Sequence, residues 1–156
     1  MAEVDGFTSP WWKSGCLDSS APSVTPQAFG LEEQPRERVP SSWAETQNNL
    51  ASTLLALGQR EGGTARLEQA IAAARAALEQ WTRDQTPRVW AFTEKELGDA
   101  LAVLAQRQKS LPHTEEAIAS MRNALEVYQQ LGDNDRSSEA QTRLAELETQ
   151  LAALRR

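Results

Sequence analysis

From Pro40 onward, apolar side chains recur at helical spacing. Trp43, Leu50, Leu54 and Leu57 follow one another at intervals of 7, 4 and 3, which predicts one amphipathic helix with these four along its buried stripe. Ser41 or Ser42 stands where a hydroxyl can cap its first turn, Gly58 falls where the stripe ends, and Gly62-Gly63 opens a loop. Thr64 then stands as a candidate cap for a second helix carrying Leu67, Ile71, Ala74, Leu78 and Trp81 at intervals of 4, 3, 4 and 3. The stretch from Asp84 to Pro87 ends it. A third helix carries Trp90, Leu97, Leu101 and Leu104, and Ser110-Leu111-Pro112 interrupts the chain after it. Ile118, Met121, Leu125 and Tyr128 mark a fourth helix, closed by Gly132-Asp133-Asn134. The fifth holds Ala140, Leu144, Leu147, Leu151 and Leu154, with a polar outward side.

The pattern is a repeat of 47 residues. Trp43-Ala44, Thr46, Leu50, Leu54, Leu57 and Gln59-Arg60 return as Trp90-Ala91, Thr93, Leu97, Leu101, Leu104 and Gln106-Arg107. The register continues through Glu68, Ala70-Ile71-Ala72, Arg75 and Ala77-Leu78-Glu79, which match Glu115, Ala117-Ile118-Ala119, Arg122 and Ala124-Leu125-Glu126. Arg36 and Pro40 match Arg83 and Pro87, and no gap is needed anywhere. Leu144 falls under Leu97 and Leu50, so the last helix is of the first type and lacks a second-type partner. A fixed period in this range marks stacked helical units, each unable to bury its apolar face alone.

Residues 1–35 break with this pattern. They hold Pro10, Pro22, Pro26, Pro35 and many serines, with neither a period of 2 nor of 3.6, and read as a largely disordered tail ahead of a repeat domain over 36–156. Trp11-Trp12, beside Phe7 and Leu17, is the exception. The pair folds back over an exposed repeat edge, serves as a short motif for a partner, or has no specific role.

These helix pairs resemble tetratricopeptide repeats. That family sets a Leu-Gly or Leu-Ala pair and a bulky residue four positions on in its first helix, then small alanines in its second. Leu50-Ala51 with Leu54 and Leu97-Gly98 with Leu101 match the first helix; Ala70 with Ala77 and Ala117 with Ala124 match the second. The run Thr46-Gln47-Asn48-Asn49-Leu50-Ala51 is similar to the kinesin-light-chain-type branch, familiar in bacterial proteins. The unit is longer than the usual ~34 residues. The resemblance implies an all-α, tetratricopeptide-like α-α superhelix of two antiparallel helix pairs plus a C-terminal capping helix. It also implies a protein-interaction module or scaffold that takes a peptide or helix in a groove lined by the first-type helices.

The stripes place the groove residues. Glu45, Asn48, Asn49 and Ser52 share a face of the first helix; Phe92, Lys95, Glu96 and Asp99 take the same places on the third; Glu139, Thr142, Arg143 and Glu146 follow on the fifth. Asparagine carries both donor and acceptor and suits a peptide backbone of any sequence. Lys95 and Arg143 offer positive charge for a carboxylate. The alternative is a structural, self-assembling protein that forms a homo-oligomer through open repeat edges, for instance near Trp43. A third option is a docking part for chemistry carried on another chain.

Composition narrows the rest. A formal charge of −6 disfavours a nucleic-acid partner. No run of apolar residues is long enough for a membrane span, and the N-terminal Met-Ala-Glu-Val-Asp lacks the positive charge of a secretory signal, so the cytoplasm is the expected compartment. The single cysteine, Cys16, cannot form an internal disulfide and has no motif to activate it. The single histidine, His113, is expected in an exposed loop with no companion for zinc. Glu32-Glu33 and Glu115-Glu116 read as solvated charge rather than an acid/base pair. No phosphate-binding loop or catalytic constellation appears, which points to a non-enzyme without cofactor or metal.

Overall fold

A computed structural model describes residues 40–156, and these are all helix, turn and connecting loop. The tail assigned to residues 1–35, with Trp11-Trp12, Cys16 and Glu32-Glu33, lies outside the described residues. The five helices are α1 (Pro40–Arg60), α2 (Ala65–Leu78), α3 (Pro87–Gln108), α4 (Leu111–Gln130) and α5 (Asn134–Leu154). Each packs on the next in chain order, and α1 also touches α3. Short connections reverse the chain between neighbours. The first-type helices α1, α3 and α5 therefore form one row, and α2 and α4 the other.

The helix boundaries follow local chemistry. Both α1 and α3 begin on proline, whose fixed φ and missing N–H suit a first turn. Pro40 rather than a serine cap thus opens α1. Thr64 occupies the cap position of α2 without a side-chain capping bond. Ser110 does cap α4, accepting from the His113 backbone N–H at 3.5 Å, and Asp133 caps α5, accepting from the Arg136 N–H at 3.3 Å. His113 accordingly sits half-buried in the first turn of α4, not in an exposed loop. Two left-handed residues follow helix ends: Lys109 (φ 51°) after α3 and Gly132 (φ 68°) after α4. Beyond each, a backbone N–H bonds back into the last turn, Ser110 to Ala105 O at 3.0 Å and Asp133 to Tyr128 O at 2.9 Å.

The core is built of leucine and alanine from all five helices, with Leu67, Leu101, Met121, Val127, Tyr128 and Leu147 essentially sealed from solvent. Small residues let helices of one pair approach closely. A Cβ on Gly58 would lie 2.8 Å from Leu67 Cδ2, and one on Gly98 would lie 3.2 Å from Met121 Cε and 3.3 Å from the Ala117 carbonyl oxygen. A second, smaller cluster joins Ala44, Ala77 and Trp81, with Trp43 packed on it. Trp81 belongs to the turn beyond α2, since that helix ends at Leu78. Its repeat counterpart Tyr128 is still helical and fully buried, with the Arg136 guanidinium 6.0 Å from its ring centre.

Two of the four stripe positions on α1 depart from expectation. Leu50 and Leu57 are 45% and 40% exposed. The buried side of α1 instead runs through Ala44, Asn48, Ala51, Leu54, Leu55 and Gly58. Their repeat counterparts Leu97 and Leu104 are 5% and 2% exposed, because α3 has α2 packed on its preceding side and α1 has no such neighbour among the described residues.

Candidate functional site

Of the expected groove residues, six from α3 and α5 line one cleft. Lys95, Asp99, Thr142 and Arg143, with Glu139 and Glu146, line a cleft of about 350 Å³ between α3 and α5. Lys95 Nζ lies 2.9 Å from Glu139 and 3.2 Å from Asp99, one turn ahead on its own helix. Arg143 reaches Asp99 at 3.1 Å and Glu146 at 2.8 Å. Asp99 is thus shared by both cations. Glu139 and Glu146 remain largely exposed, with 60% and 58% of their side chains open to solvent, so their carboxylates are accessible while the cations are half-sheltered.

A second link joins α1 to α3. The Ser52 hydroxyl donates to the Glu96 carboxylate. Ser52 and Glu96 stand one repeat before Asp99 and Arg143, so the two links occupy the same pair of positions in successive joints. One joint uses a hydroxyl and a carboxylate, the other a carboxylate and a guanidinium.

Burial and pairing set the electrostatics. Burial pulls the Lys95 ammonium down, but Glu139 and Asp99 together outweigh it and hold it above the usual lysine range. Burial likewise opposes the charge on Arg143, and Glu146 and Asp99 overcome it. Burial pushes the Glu96 carboxyl up, only partly offset by Ser52 and Lys95. Both cations are therefore neutralised within the chain, which removes them as ready partners for an incoming carboxylate. Along the face, acidic Glu45, Glu96, Asp99, Glu139 and Glu146 outnumber basic Lys95 and Arg143.

The other expected residues divide. Glu45 and Asn49 are exposed on α1, and Phe92 is half-buried on α3. Thr142 is exposed, though further along α5, and its hydroxyl turns back to the Ser138 carbonyl at 2.9 Å. Asn48 does not face an incoming peptide. It is 8% exposed, and its Oδ1 accepts from the Thr93 hydroxyl of α3 at 2.8 Å. Its polar group joins α1 to α3 alongside the Ser52–Glu96 link.

Glu94 was not legible as a special residue. It is 8% exposed, and burial pushes its carboxyl up against the opposing hydrogen bonds of Ser120 and Asn123 on α4. The only hint lies in register, since Gln47 holds the same place in the first repeat. Tyr128 also has a polar end in the core: burial raises its phenol to about 12, and its hydroxyl has no hydrogen-bond partner among the described residues. Glu115 and Glu116 are not merely solvated but pair with Arg155 and Arg75. Arg75–Glu116 and Arg83–Glu126 tie α2 and its following turn to α4 on the opposite side of the domain.

No family model, curated protein or solved structure matches the chain. Among the described residues, no cluster of His, Cys, Asp and Glu could hold a metal ion, and no helix is long and apolar enough to cross a membrane.

Proposed function

We propose that the protein is a non-enzymatic interaction module, a short tetratricopeptide-like array that takes a peptide or helix across the face shared by α1, α3 and α5. The observation that carries this reading is the cleft between α3 and α5, where polar side chains from two first-type helices converge on a single row. The excess of carboxylates on this face, with Lys95 and Arg143 already paired, favours a basic segment over an acidic one. Glu45, together with the solvent-exposed carboxylates of Glu139 and Glu146 that also pair with Lys95 and Arg143, supplies the acceptor charge, and Asn49 supplies a donor and acceptor for the backbone.

Fluorescence anisotropy with two labelled helical peptides of equal length tests this, one rich in Lys and Arg, the other in Glu. The basic peptide should bind more tightly, and added salt should weaken it. Glu139→Lys with Glu146→Lys should reduce its affinity roughly tenfold or more while the circular dichroism spectrum stays helical. Equal binding of both peptides, or no response to the double variant, would refute the assignment of the face.

A further inference from the structure

The outer edge of α1 carries an exposed apolar stripe. Thr46, Leu50, Thr53 and Leu57 follow one another at intervals of 4, 3 and 4 and are all exposed. Both threonine hydroxyls turn back to their own helix, Thr46 to Ser42 O and Thr53 to Asn49 O, each at 2.9 Å, so their methyl groups remain for the surface. Residues 46–59 contain no charged side chain, a composition unlike that of a solvated helix edge. One repeat later the same four positions are Thr93, Leu97, Ala100 and Leu104, exposed by 0%, 5%, 1% and 2%. The stripe that α2 helps to cover on α3 is thus repeated, nearly residue for residue, on a helix with no covering element among the described residues.

No sequence like that of α2 stands one repeat length before it. One repeat length earlier, residues 18–31 carry Pro22, Pro26 and Gly30 in place of the alanine-rich composition of α2. The opposite end of the array does not complement the stripe either. On α5 the positions equivalent to those that face α4 on α3 are Gln141, Ala145, Glu148 and Ala152, all exposed and either small or polar.

The stripe does complement itself. We infer that α1 pairs with α1 of a second copy of this chain, antiparallel, about a two-fold axis beside Thr53. That axis sets Leu50 against the other copy's Leu57 and Thr53 against its counterpart, an uncharged heptad seam closed on both sides. It also brings Glu45, flanking one end of the seam, toward Arg60 at the other end, so opposite charges meet at each rim. The helix has 21 residues, long enough at ~1.5 Å per residue to run the seam along its full length. Because the two-fold axis stands perpendicular to both helices, the peptide-facing sides of the two copies lie on the same side of the dimer.

Sedimentation equilibrium on the full chain tests this. The wild type should sediment at twice its 17.2 kDa chain mass. Leu50→Glu with Leu57→Glu should sediment at a single chain mass with an unchanged helical spectrum. Thr53→Arg alone should do the same, since it sets like charges against each other across the axis. Val89→Glu with Leu131→Glu, at exposed apolar sites outside the seam, should remain dimeric. Arg60→Glu should weaken the dimer, and adding Glu45→Arg should restore it, which reports the antiparallel sense. A wild type that stays monomeric up to about 100 µM, or a dimer indifferent to both seam variants, overturns the proposal. So does a charge swap that fails to rescue.

Discussion

The first and second helix pairs carry the same leucines and treat them differently. Leu97 and Leu104 are buried on α3, which has α2 packed on its preceding side, whereas Leu50 and Leu57 are exposed on α1. Side-chain chemistry is identical at both sets of positions, so the difference comes from the neighbour. A repeat specifies what each face can bury, and the preceding unit decides whether it is buried. The two pairs also exchange their close-contact positions. In the first pair alanine stands at Ala51 and glycine at Gly58; in the second glycine stands at Gly98 and alanine at Ala105. Each pair needs one residue without a side chain where its helices approach, but at opposite ends of the contact.

The largest effect expected from this comparison lies in the leucines. Leu104→Ala should cost about 2–5 kcal/mol in urea unfolding, as core truncations do, and Leu57→Ala at the matching position, measured in the monomeric Thr53→Arg background, well under half as much. Equal losses would erase the distinction between interior and edge. Next is Gly98→Ala. Its Cβ would press on the Ala117 carbonyl as well as on the flexible end of Met121, and the thermal midpoint should fall by an amount equivalent to about 1–2 kcal/mol despite the better helix propensity of alanine. Installing at Gly98 the alanine that the first pair tolerates at Ala51 thus tests whether the two contacts are really offset. The smallest concerns Glu94, whose first-repeat counterpart is Gln47. Burial raises the Glu94 carboxyl, so its proton is held more tightly in the folded chain than in the unfolded one. Its stabilising contribution is complete below the ordinary carboxylate range and is lost as pH rises through the raised folded value. Glu94→Gln should therefore gain up to about 1 kcal/mol on the wild type between pH 4 and pH 7, seen as a flatter plot of urea midpoint against pH.

The helices and their reversals were legible because leucine spacing, Gly62-Gly63 and Pro112 are local signals. Repeat register was legible for the same reason: it compares like with like along the chain. What did not follow from spacing was occupancy. The stripe on α1 looks the same whether or not a helix lies against it, so Leu50 and Leu57 read as core. Asn48 read as a ligand for a peptide because its partner Thr93 lies 45 residues away and belongs to another helix. Register puts Lys95 with Asp99 on one helix and Thr142 with Arg143 on another, the family resemblance suggests a shared groove, and the four line one cleft between α3 and α5. Their mutual pairing was not legible, because it depends on the distance between α3 and α5 rather than on either helix. The spacing from Leu78 predicts Trp81 on a helix, yet the chain has already left α2 there and the ring packs with Ala44 and Trp43 of α1.

The central claim is that α3 is an interior repeat helix and α1 an edge one, with equivalent leucines in different surroundings. Placing Asp at Leu97 and, separately, at Leu50, and recording far-ultraviolet circular dichroism of each full-length variant at micromolar concentration, tests it most directly. Leu97→Asp should lose most of its helical signal, and Leu50→Asp should keep it. If both variants unfold, or both stay folded, the two positions do not differ as described.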